Sequence, residues 1–189
     1  MARIPGYYDD IANVKKIPAD RGNEAILENF QKVQANVIQE FVTLIRWRWE
    51  WERNNPSSVL EMPATFWSPI LADIPRPASL STVYYYMDRN GASEISIYCM
   101  AMICLVGVTR RLRSPFLWKA ALASLSASEV PIVTNPLHFP DEKLHVFDLI
   151  RDVCRSVDFF FLMDGRGMEV DTFPVMAVLR TWYVLPHFP

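Results

Sequence analysis

An all-α fold is expected for this 189-residue chain, on three features. From Asn23 to Arg53 apolar residues recur at steps of three and four, which is the spacing of one face of a long helix. From Ile95 to Val108 there is no charged side chain, and apolar positions fall on every face, as in a helix surrounded by others. Between them, Pro56, Pro63, Pro69, Pro75 and Pro77 forbid regular helix over most of their span. These features predict about five helices packed around a buried helix at Asp88–Arg113, with a long Pro-rich crossover loop leading into it. The length suits one domain, 23–189, preceded by an irregular arm over 1–22 in which Pro5, Gly6, Pro18 and Gly22 punctuate mixed charges.

Taken in order, the first helix shows Ile26, Phe30, Val33, Val37, Phe41 and Leu44 on one face and Glu28, Lys32, Gln39 and Glu40 on the other. Asn54, Asn55 and Pro56 stop it. Near the stop, Trp47, Trp49 and Trp51 alternate with charge. On a helix they project over about 200° of arc, so one neighbour cannot bury all three. They either clamp the following segment or form an aromatic wall facing a ligand. Thr82–Tyr86 has strand propensity without an obvious partner strand, and reads as an extended lead into the next helix. For that helix Asp88, Asn90 and Ser93 are candidate caps, Glu94 suits the positive end, and Arg110, Arg111 and Arg113 suit the negative end. A membrane span competes, but the uncharged run falls short of the roughly 20 residues a bilayer needs. Pro115–Ser126 reads as a shorter helix capped by Ser114. A further helix starts at Pro140, Asp141 and Glu142, turns Val146, Ile150, Val153, Val157 and Phe160 inward, and ends at Gly165 and Gly167. Thr172–Leu185 closes the fold, with Pro174 in its first turn.

Composition narrows function. A hydrophobic fraction of 51% with six Trp implies either a large interior or apolar surface that meets a ligand or partner. A net charge of −2 gives no overall attraction to nucleic acid or anionic lipid, so direct nucleic-acid binding and membrane association are not expected. Cys99, Cys104 and Cys154 are odd in number and lack C-x-x-C spacing, which suggests reduced, buried thiols. The first residues fit neither a secretory signal nor a transit peptide, leaving nucleus or cytoplasm as the expected location. His138, His145 and His187 are too widely spaced for local metal ligation, and no metal or cofactor is expected.

Three stretches resemble a known family. L-I-R-W-R-W-E-W-E-R-N-N-P followed by E-M-P, then A-S-E-I-S-I-Y-C-M-A-M-I-C-L-V, then V-C-R-S-V-D-F followed by F-P-V-M-A-V-L-R resemble the C-terminal helical regulatory region of fungal zinc-cluster transcription factors. The resemblance covers most of the chain from Leu44 onward and rests on packing motifs. The zinc cluster itself needs six close thiolates, and this chain has three scattered cysteines. The resemblance therefore implies a regulatory-domain fold without its DNA reader, acting on a hydrophobic small molecule or a protein partner, with homodimerisation open.

Candidate site residues follow from the buried-helix reading. Glu94, four residues before Tyr98, either caps the helix start or is a buried acid of the kind that moves protons. Arg155 and Asp158 are neighbours on one helix and read as a structural ion pair. A ligand pocket is expected between the Asp88–Arg113 helix, the tryptophan-rich end and the last helix, lined by Trp47, Trp51, Tyr98, Met102, Arg155 and Arg180. The rival to a regulatory module is a cofactor-independent isomerase or cyclase of a polyketide- or terpenoid-like metabolite, its acid drawn from Glu94, Asp158 or Asp171.

Overall fold

The amphipathic pattern at the front of the chain forms one helix, α1 (Gly22–Asn54, 33 residues), in a computed structural model that describes residues 22–67, 78–141 and 143–164. Of the expected inward stripe, Val33, Val37, Phe41 and Leu44 are buried and Phe30 is half-buried, the Ile26 side chain lies outside those described, and Ile45 joins the buried face. The stop falls where the Asn-Asn-Pro run puts it. The backbone N–H and the Nδ2 of Asn55 both donate to the Trp51 carbonyl, at 2.9 and 3.0 Å, and Ser57 then turns the chain with φ of 52°.

The crossover corrects one expectation. Thr82–Tyr86 has a partner: β1 (Val59–Pro63) and β2 (Thr82–Tyr86) pair antiparallel, Val59 opposite Tyr86 and Pro63 opposite Thr82. The fold is thus mainly helical with one small two-stranded sheet. The pairing was hidden because no tight turn joins the strands and because V-L-E-M-P is short and ends in proline, which is tolerated only at an edge. A two-stranded ribbon is marginal alone. Here Val59, Val83, Tyr84 and Tyr86 are buried, and the ring of Phe159 meets Tyr85 and Tyr86 at 5.7 and 5.3 Å.

Helix α2 (Arg89–Arg111, 23 residues) follows. Of the three candidate caps, Asp88 is the one used, its carboxylate accepting from the Gly91 N–H at 2.8 Å. Ala92, Ile95, Met102, Leu105 and Val108 are buried where α2 packs against α1, the hairpin and the last described helix. The expectation of burial on every face is corrected: Glu94 and Ile97 are exposed, and Met100 and Cys104 half-buried, a strip at helical spacing. The helix is also longer than its uncharged run, and by length and composition alone it passes for a membrane span, yet 67% of its apolar window is buried within the protein. It ends in a double backbone cap. Arg113, at φ of 52°, donates to the Arg110 carbonyl, and Ser114 donates to that of Thr109, both at 3.0 Å.

Helix α3 (Leu117–Ala123) is shorter than expected, and Ser114 does not cap it. Its hydroxyl instead accepts from Gln34 Nε2 at 2.6 Å and donates to the Leu112 carbonyl, which ties the corner to α1. Helix α4 (Val146–Asp164) starts later than Pro140, and ahead of it the Asp141 carboxylate accepts the Lys143 N–H. Its buried face is rotated from the expected stripe. Leu149, Asp152 and Ser156 are buried along with Val146, Val153 and Phe160, while Ile150 and Val157 are half-buried. Counting apolar residues alone missed this, since two of the inward positions are polar. The expected end at Gly165 and Gly167 and the helix at Thr172–Leu185 lie outside the described residues.

Candidate functional site

The tryptophan-rich end of α1 carries a buried ion pair. Arg48 and Glu52, four apart on one face, meet at 2.7 Å with side-chain exposures of 1% and 0%. Charges so deep need further partners. Glu52 Oε1 accepts from the backbone N–H groups of Thr134 and Asn135 at 2.7 and 2.9 Å, from Thr134 Oγ1 at 3.1 Å and from Asn135 Nδ2 at 3.0 Å. Burial alone would raise the Glu52 pKa, but these donors and Arg48 outweigh it and hold the carboxyl below its ordinary value. Asn135 continues the chain of bonds, donating to the Asn55 carbonyl at 2.8 Å and accepting from the Val59 N–H at 2.9 Å. One carboxylate and one amide therefore fasten the loop after α3 to the end of α1 and the start of β1.

The three tryptophans divide as their arc requires. Trp49 stacks on Phe139 of that loop at 6.5 Å, Trp47 stacks on Tyr98 at 5.5 Å, and Trp51 donates to Glu94 Oε2 at 3.0 Å. The Arg48 guanidinium lies 5.1 Å from the Trp51 ring and 5.7 Å from that of Phe139. None of these partners lies in the segment that directly follows α1: the tryptophans pack against α2 and the loop before α4, and Trp49 and Trp51 are buried.

A second polar cluster joins α4 to the hairpin. Asp152, 2% exposed, accepts from the His138 N–H at 2.6 Å through Oδ2, and its Oδ1 lies 3.0 Å from the Tyr84 hydroxyl. That hydroxyl also lies 3.1 Å from the Pro136 carbonyl and accepts from Arg155 Nη1 at 3.2 Å. Arg155 in turn meets Glu61 of β1 at 3.1 Å. Burial pushes the Asp152 carboxyl up to about 6, against the opposing pull of its donors and of Arg151 and Arg155. Burial, then the nearby Asp152, raises the Tyr84 phenol as well, and burial pushes the His138 imidazole down. One turn along, the hydroxyls of Tyr86 and Ser156 are 2.7 Å apart.

Open space lies elsewhere. A groove of about 620 Å³ runs past the C-terminal end of α2, where Arg110 and Arg113 face Lys119 of α3 and Lys143 and His145 before α4, over an apolar floor that includes Phe41 and Trp118. A second, of about 540 Å³, lies between Trp49, α3 and Pro140 and shares Lys119 with the first.

The expected site residues are only partly brought together. Trp47, Trp51 and Tyr98 do converge, but Trp51, Tyr98 and Met102 are packed into the core. Arg155 belongs to the Asp152 cluster on the hairpin side. Glu94 is exposed and held by the Trp51 indole, so it is neither the cap nor a buried acid. Asp158 is half-buried, and the partner found for Arg155 on another element is Glu61. Asp171 and Arg180 lie outside the described residues. Sequence reasoning missed Glu52 and Asp152, although the i, i+4 spacing of Arg48 and Glu52 was a readable signal. Among the described residues no group of three or more His, Cys, Asp or Glu side chains is arranged to hold a metal ion. Comparison with protein-family models, with curated proteins and with solved structures gave no match for this chain.

Proposed function

We propose that this chain is a binding module, a regulatory and ligand-sensing helical domain of the kind that accompanies the DNA reader in fungal zinc-cluster transcription factors, working in the nucleus or cytoplasm. In this reading the helices gather about Asp88–Arg113, with Thr172–Leu185 as the fifth. The observation that carries it is the use made of the buried acids. Every oxygen of Glu52 and Asp152 has a protein donor, and neither residue lines either groove. A general acid needs a face turned to substrate. These carboxylates instead fasten the loop of residues 130–138 across α1, the hairpin and α4, which favours recognition over catalysis.

Fusing residues 1–189 to an unrelated sequence-specific DNA-binding domain tests this with a reporter gene. A regulatory domain changes reporter output relative to the DNA-binding domain alone, and Glu52→Gln, which loosens the fastened loop, removes the change. Unaltered output, combined with conversion of a metabolite when the purified chain is incubated with a cell extract, would give the isomerase or cyclase reading the advantage.

A further inference from the structure

We propose that the groove at the C-terminal end of α2 binds a small amphipathic organic acid, its anionic group among Arg113, Lys119 and Lys143 and its apolar body on Val106, Trp118 and Leu144. As the effector site of a regulatory domain this rests on the reading above, whereas binding itself is measurable on the chain alone.

Five observations carry it. The groove, of about 620 Å³, falls within the size range of small-molecule sites. Its described lining holds cationic side chains from α2, from α3 and from the segment before α4, and no Asp or Glu, in a chain whose net charge is −2. Like charges gathered against the overall balance repel one another, and an anion relieves that repulsion. The floor is apolar as well: half-buried Val106 and Leu144 line it beside Trp118, whose ring is braced edge to face by the buried Phe41 at 5.3 Å.

The cations are also not consumed in ending the helix. The carbonyls of Val108, Thr109 and Arg110 already accept the backbone N–H groups of Leu112, Ser114 and Arg113. Arg113, Lys119 and Lys143 make no side-chain ion pair with the described residues. Arg113 further occupies the left-handed position of the cap, at φ of 52°, where glycine is the unstrained choice. An arginine at this position puts a guanidinium on the groove at a cost to the backbone, and such strain gathers at binding sites.

The experiment titrates the full chain with 8-anilinonaphthalene-1-sulfonate and with N-phenyl-1-naphthylamine, the same rings without the sulfonate. The proposal expects one sulfonate site per chain, with affinity about tenfold above that of the neutral compound, as a charge-assisted contact gives. Arg113→Gly and Lys143→Gln should each weaken the sulfonate several-fold and leave the neutral compound unchanged. Because glycine suits the cap, Arg113→Gly should hold or raise the thermal midpoint, so its loss of binding cannot come from unfolding. Equal affinity for the two compounds, or sulfonate binding indifferent to both substitutions, overturns the proposal. The reporter result does not enter, so a failed titration and a failed regulatory reading are separate outcomes.

Discussion

Replacing Glu52 by glutamine removes one charge and almost no volume, so its effect isolates the buried electrostatics of the α1 terminus. The amide oxygen can still face Thr134 and Asn135, but the amide nitrogen then points at Arg48 Nη1, now 2.7 Å from a carboxylate oxygen. Arg48 is 1% exposed, and its Nη2 already lacks a hydrogen-bond partner among the described residues. The faces of Trp51 and Phe139 would then compensate part of the charge, at about 0.5–2 kcal/mol. Breaking such a pair from one side costs about 3–5 kcal/mol, a large share of the roughly 5–15 kcal/mol of an ordinary domain. Urea unfolding at pH 7, followed by circular dichroism, measures it, and Arg48→Met with Glu52→Gln should recover about 1–3 kcal/mol by removing the stranded charge. A single-mutant cost below about 1 kcal/mol, or a double mutant no better than the single, would refute the reasoning. The pH dependence has a definite sign. Because folding lowers the Glu52 pKa, its contribution is present above the ordinary carboxyl value and disappears as pH falls through the folded value, so Glu52→Gln should flatten the acid limb of the stability profile.

Asp152 behaves in the opposite sense. Its pKa rises on folding from 3.8 to about 6, so the protonated form is favoured in the fold, and about 3 kcal/mol is lost as pH climbs from below 4 through 6. Asp152→Asn can still accept from His138 and can donate to Tyr84, whose proton then goes to the Pro136 carbonyl; it should therefore exceed the parent in stability at pH 8 by about 2 kcal/mol and match it at pH 4 in parallel urea titrations. A variant weaker than the parent at pH 8 would contradict this. Met102→Ala, at a fully buried site on α2, should cost about 2–5 kcal/mol in the same assay, whereas a cost near zero would mean the side chain is not packed there. Asp88→Ala should cost about 1 kcal/mol through loss of the cap on Gly91, with the change in calorimetric midpoint as the readout and an unmoved midpoint as the contrary result.

Local pattern was a good guide where the physics is local. The α1 stripe from Val33 to Leu44, its stop before Pro56 and the Asp88 cap each depend on side chains a few positions apart, and each was legible. The hairpin was not, because Val59 and Tyr86 pair across a long connection without a turn signal. The face of α4 was misread for a related reason. Asp152 and Ser156 point inward only because Tyr84 and Tyr86 wait there with hydroxyls, which periodicity on α4 cannot express. Glu94 shows the converse: a carboxylate within an apolar helix lies at the surface, because the strip of α2 that carries it is the less covered one.

By itself the chain's sequence determined a mainly helical protein, the spans of α1 and α2 and several helix ends, since backbone hydrogen bonds, caps and proline breaks act within one or two turns. Only the tertiary structure decided which charges are buried and which are exposed. Glu52 is held by Asn135, 83 positions away, and Arg113 shares its groove with Lys143 across α3. Desolvation and charge pairing depend on separation through space, and a linear order of residues does not contain it.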